Sequence, residues 1–172
     1  MSEHLKMIGV LFAVCVASSL VLSLVYSQTQ PLIEANSKKE LDNAILRVQP
    51  QAEDVQALGI SKGAVKEVYG LSKAGENVGY AVLVESSGYQ GAIRVIYGLD
   101  AEQKIIGIEV LSHSETPGLG SKIQDSSFLG QFLGKGKADL SEVDTITGAT
   151  VSSSAVLRVV TESIDVMREV AQ

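Results

Sequence analysis

The sequence predicts an α+β domain, a twisted and mainly antiparallel sheet with flanking helices, carried by one N-terminal transmembrane helix. Three observations predict it. Met7 to Tyr26 contains no charged residue. Between Val65 and Leu111, four short runs rich in branched and aromatic residues are separated by Gly, Asn, Ser and Asp clusters. Finally, Val156, Val160, Ile164, Met167 and Ala171 recur at helical spacing, with Arg158, Glu162, Asp165 and Glu169 on the other side.

The uncharged run is about 20 residues, a helix near 30 Å long and enough to cross a bilayer. A cleaved signal peptide and a buried core helix are the competing readings. No small-x-small cleavage site follows the run, which is long for a signal sequence. Cys15 sits mid-run between Val14 and Val16, so it reads as a small apolar filler rather than a lipoprotein cleavage site. The prediction is an uncleaved single-pass anchor in the cell (inner) membrane, in contact with lipid. Lys6 and the amino terminus precede the span, whereas Tyr26 to Ser37 carries only Glu34. The positive-inside rule therefore puts the N-terminus in the cytoplasm and the domain on the extracytoplasmic, periplasmic side.

From Pro31 to Pro50, Leu41, Ile45 and Val48 fit one helical face, as in a stalk leading from membrane to domain. The expected strands are Val65–Tyr69, Gly79–Glu85, Ala92–Gly98 and Ile105–Leu111. Asp100 to Gln103 has hairpin length, and the glycines of Gly88-Tyr89-Gln90-Gly91 permit positive φ. Tyr89 reads as a ring packed over the sheet edge. Phe128 to Leu133 suggests a short helix burying two aromatic rings, and Gly134 to Lys137 a solvated turn. The partition expected is an anchor at 1–27, a stalk at 28–60 and the domain at 61–172.

Composition narrows the chemistry. A net charge of −6 with no basic run argues against nucleic acid. One cysteine and two histidines leave no disulfide framework, no cysteine-ligated zinc or iron–sulfur site and no histidine-based metal cluster. If the chain handles electrons, it needs an organic cofactor. The single span has no intramembrane charge to carry ions, and no Gly-rich nucleotide loop follows a strand.

Thr147-Gly148-Ala149-Thr150-Val151-Ser152-Ser153-Ser154 immediately precedes the last helical segment. A hydroxyl-rich run there is first of all a helix N-cap. The free N–H groups and the positive end of the helix dipole also suit a phosphate. A loop signal, Pro-Gly-x-Gly, lies in His113-Ser114-Glu115-Thr116-Pro117-Gly118-Leu119-Gly120-Ser121-Lys122.

Taken together, Asp144, Thr147-Gly148-Ala149-Thr150 and Glu115-Thr116-Pro117-Gly118-Leu119-Gly120 resemble the two signatures of the FMN-binding domain family. That family includes the G subunit of the Rnf electron-transport complex and the C subunit of the sodium-pumping NADH:quinone oxidoreductase. Thr147 stands where Ser is more usual, and the compact chain is more similar to the G subunit. The resemblance implies FMN held covalently through its phosphate on Thr150. It also implies cofactor contacts from Glu115, Thr116, Gly118, Leu119, Lys122, Thr147, Gly148 and Ala149. Lys122 would then bring a positive charge near the phosphate or ring, and Asp144 reads equally as a turn cap or a recognition residue.

No base stands beside Thr150 in the motif, and a threonine hydroxyl needs activation. The resemblance accordingly implies a separate flavin transferase using FAD and Mg²⁺. The chain would be an electron carrier beside other integral-membrane subunits, with no catalytic or metal-ligating residue of its own. The alternatives are a C-type subunit of the sodium pump, a non-redox binding module with unmodified Thr150, and a stand-alone flavin reductase.

Overall fold

The computed structural model describes residues 3–170, with side chains described as far as Arg168. Ala171 and the side chain of Glu169, assigned above to opposite sides of the last helix, lie outside the described residues. The chain divides into two compact units, residues 1–40 and 41–172.

Helix α1 spans Glu3–Val48 and continues through Pro31, and its part up to Glu40 forms the first unit. Its apolar stretch is long enough to cross a membrane and none of it is buried within the protein. Leu22 and Phe12, at 71% and 70% exposure, show side chains turned outward. Such a surface is stable against lipid rather than water, and by length and composition α1 is a candidate membrane span.

The second unit takes in the end of α1 and a five-stranded antiparallel meander in the order β1-β2-β3-β4-β5. The strands are β1 (Asp54–Ala57), β2 (Val65–Lys73), β3 (Glu76–Ser87), β4 (Ala92–Leu99) and β5 (Ile105–His113). Helix α1 stops at Val48 because Pro50 follows, and the residue before a proline avoids helical geometry. Strands β2 and β3 run longer than the sequence pattern indicates. They are closed by a two-residue turn with positive φ at both Ala74 and Gly75, the geometry that matches strand twist. Between β4 and β5, the Asp100 side chain accepts the Glu102 and Lys104 amides at 2.9 Å each.

Each face of the sheet carries a buried core. Val82, Val84, Val95 and Tyr97 belong to one core, whereas Ala81, Leu83 and Ile96, interleaved with them, belong to another. The first face is covered by α3 (Thr150–Val170), by α2 (Ser126–Leu129) and by 3₁₀ turns at Gly120–Gln124, Gly130–Phe132 and Lys137–Glu142. Phe128 and Phe132 pack edge to face there, ring centroids 5.4 Å apart. The Tyr97 hydroxyl and Ser163 are hydrogen-bonded at 2.6 Å inside this core, and burial pushes the Tyr97 phenol pKa up.

The second face is covered by Ala44, Ile45, Val48 and Ala52. Gly98 and Gly107 pair across β4 and β5, and the Val48 backbone rests on them. A Cβ on Gly98 would stand 2.7 Å from the Val48 carbonyl oxygen, and one on Gly107 2.6 Å from the Val48 Cα. Arg47 adds a bidentate pair to Glu109 at 2.7 and 2.8 Å.

Candidate functional site

Helix α3 begins at Thr150 because Gly148, at φ +83, turns the chain into it. That conformation disfavours any side chain with a Cβ. Among the described residues, the Thr150 hydroxyl makes no hydrogen bond, and Thr150 is exposed. The hydroxyls beside it are committed. Ser153 Oγ accepts the Ile146 amide at 3.0 Å and donates to the Ala149 carbonyl at 2.9 Å. Ser152 Oγ donates to Glu115 Oε2. The serines therefore fasten α3 to the loops before it, and a helix of 21 residues brings its dipole to this point.

A cavity of about 420 Å³ opens beside Thr150, lined by Tyr89, Glu115, Thr116, Leu119, Gly120 and the run from Gly148 to Ser152. This volume falls within the roughly 300–1,000 Å³ usual for small-molecule sites. The two sequence motifs thus meet around one space. Of the residues singled out in the sequence, Glu115, Thr116, Leu119, Gly148, Ala149 and Thr150 line it. Thr147 and Lys122 are exposed and stand outside the lining. Gly118 also stands outside it, its N–H bonded to Ser121 Oγ at 2.9 Å. The walls are mostly apolar, and Tyr89, Leu119 and Val151 expose 71%, 52% and 55% of their surface at its rim.

Glu115 is buried beneath this surface. Burial alone would raise its pKa, but the Ser152 hydroxyl and the backbone amides of Gln90, Tyr89 and Gly91 outweigh it and hold the carboxyl below its usual value. The Gln90 amide donates to Oε1 at 3.0 Å. His113 Nδ1 accepts the Glu115 amide at 3.1 Å, an arrangement typical of a structural histidine. The Asp144 amide donates to Gln131 Oε1 at 2.9 Å, which fixes the backbone leading to the motif.

The sequence did not reveal Tyr89 and Val151 as lining residues, nor Ser152 as the partner of Glu115. A hairpin-tip aromatic between two glycines was the available signal for Tyr89. Nothing local signals the other two.

The donor set suits a flavin phosphate. The cavity of about 420 Å³ joins a hydroxyl without a partner among the described residues, at a helix N-terminus, to a mostly apolar lining. No group of three or more His, Cys, Asp or Glu residues able to hold a metal occurs among the described residues.

A family model described as the FMN-binding domain matches residues 88–165. The G subunit of the proton-translocating ferredoxin:NAD(+) oxidoreductase complex of Clostridium ljungdahlii is 31% identical, over 88% of this chain and 84% of its own. The G subunit of the ion-translocating oxidoreductase complex of Methanosarcina acetivorans is 32% identical, over 95% and 94%. Among solved structures, NqrC of Shewanella oneidensis is similar with a TM-score of 0.49 and 19% identity, over 68% of this chain and 67% of that one.

Proposed function

The chain belongs to the family of ion-translocating oxidoreductase G subunits built on an FMN-binding domain, and from that premise we propose that it is a membrane-anchored electron carrier with FMN esterified to Thr150. It works within an Rnf-type complex that couples ferredoxin oxidation and NAD⁺ reduction to cation movement. The observation that carries this reading is the meeting of two motifs, distant in sequence, around one cavity with the Thr150 hydroxyl unpartnered at its wall.

Bound FMN supplies one- and two-electron redox chemistry. The first-turn amides and dipole of α3 would hold its phosphate. Tyr89, Leu119 and Val151 provide the apolar surroundings of the ring, and Thr116 a polar edge. Lys122, Thr147 and Gly118 act from outside the lining, through charge and loop shape. Glu115 has its acceptors engaged by the protein itself and is no base for Thr150. Attachment would therefore fall to a separate transferase, which would supply Mg²⁺ and the base that takes the Thr150 hydroxyl proton, with FAD as donor of the FMN phosphate and AMP as leaving group. The domain lies on the extracytoplasmic side, where a tether prevents loss of the cofactor, and other membrane subunits exchange electrons with it.

A denaturing gel viewed under ultraviolet light tests the reading. Full-length chain made with the transferase should give a fluorescent band, and Thr150→Val should remove the band completely while leaving the thermal melt unchanged. A wild-type band that stays dark, or one still bright in Thr150→Val, overturns it.

A further inference from the structure

Three segments far apart in sequence form the cavity: the Gly88–Gly91 turn, the Glu115–Gly120 loop and the run from Gly148 to Ser152. Among the described residues, no backbone hydrogen bond joins one of these segments to another. The side-chain hydrogen bonds that do so both belong to Glu115. One carboxylate oxygen takes the Gln90 amide and the other takes the Ser152 hydroxyl.

The surroundings are shaped to this carboxylate. A Cβ on Gly88 would lie 3.0 Å from the Glu115 Cδ. On Gly120 it would lie 2.8 Å from the Glu115 Cβ and 2.9 Å from Ser152 Oγ. A side chain at either position would push the carboxylate off its donors. An ionised carboxylate 4% exposed is costly unless its oxygens are hydrogen-bonded. Here both oxygens are used by the chain, so the group is spent on holding segments rather than on binding a ligand. A carboxylate free to meet the flavin phosphate would repel it.

We propose that Glu115 is a positioning residue that clamps the turn, the loop and the first turn of α3 into a preformed seat, so that Tyr89, Leu119 and Thr150 surround one cavity before the flavin is attached. The clamp rests on the reading of Thr150 as the attachment point, and it acts on flavin through these neighbours, without touching the ring. It serves two steps. The transferase meets Thr150 at a fixed height above the loop, and the ring, once tethered by its flexible ribityl chain, finds its wall already built.

The experiment uses full-length chain in detergent with purified transferase, FAD and Mg²⁺. Covalent flavin is followed in denaturing gels over time, and the fluorescence anisotropy of the attached flavin is read afterwards. Glu115→Gln, which keeps the shape but turns two acceptors into one acceptor and one donor, should slow attachment on the order of tenfold. It should also lower the anisotropy of the flavin that does attach. Ser152→Ala removes one arm of the clamp and should show both effects to a smaller extent. Adding Ser152→Ala to Glu115→Gln should cost less than the separate losses combined, because both changes act on the same bond. Ser163→Ala removes a buried hydrogen bond outside the cavity and should leave both readouts at the wild-type level.

A Glu115→Gln chain labelled at the wild-type rate with wild-type anisotropy overturns the proposal. So does an equal loss in Ser163→Ala at a matched drop in Tm. Where Glu115→Gln fails to fold, Ser152→Ala decides alone, and wild-type values for it overturn the clamp. A wild-type chain that stays unlabelled overturns the Thr150 reading together with the clamp, whereas a bright wild type beside an equally bright Glu115→Gln overturns only the clamp.

Discussion

One face of the sheet meets a 21-residue helix and a run of short helical turns, whereas the other meets the last part of α1, Gln49 and Ala52. The α3 face is irregular at one end, where a hairpin turn, a loop and a helix N-terminus come together, and the cavity lies there. The α1 face is close-packed, with the Val48 backbone set directly on a glycine pair. The difference teaches that, on the proposed function, fold stability and cofactor loading would be carried by separate parts of one sheet. The site occupies the place where segments end, and the regular packing elsewhere serves to hold those ends still.

Three substitutions would break or sharpen this separation. The largest effect is expected from Phe132→Ala on the α3 face, since Phe132 is fully buried against Phe128. It should cost about 3–5 kcal/mol in chemical denaturation. It should slow flavin attachment only in proportion to the fraction unfolded. Next comes Gly107→Val on the α1 face, whose added atoms would run into the Val48 backbone. Overpacking of this kind costs about 1–3 kcal/mol, and the rate of flavin attachment to the folded chain should match wild type. A slower rate would show that the faces are coupled. The smallest effect is expected from Arg47→Ala, because its partly exposed pair with Glu109 is screened by solvent. The loss should stay below about 1 kcal/mol and shrink further at high salt.

The parts of the fold governed by periodicity were legible in the sequence. The uncharged run, the four strands from Val65 onward and the buried stripe Val156, Val160, Ile164 and Met167 all follow from spacing, and these residues fall where the pattern puts them. Strand β1 was not legible, because Asp54–Ala57 is exposed along its whole length and leaves no alternation to read. The reach of β2 and β3 to Lys73 and Glu76 was hidden by Ala74, which takes positive φ without being a usual turn residue. At the site, the two motifs are visible as words in the sequence, but their meeting is not. Glu115 finds its partners 25 positions earlier at Gln90 and 37 positions later at Ser152. Contacts over such distances arise from the path of the meander, which no local pattern encodes.

The glycine pair beneath Val48 also decides where the polypeptide can be shortened. A fragment beginning after Pro50 would strip Ala44, Ile45 and Val48 from the sheet and bare Leu71, Ala81, Leu83 and Ile96 to water. It would aggregate on that exposed plane. A fragment beginning at Leu41 brings its own lid, so a water-soluble version made for crystals or electrochemistry should start inside α1 and retain its final turns.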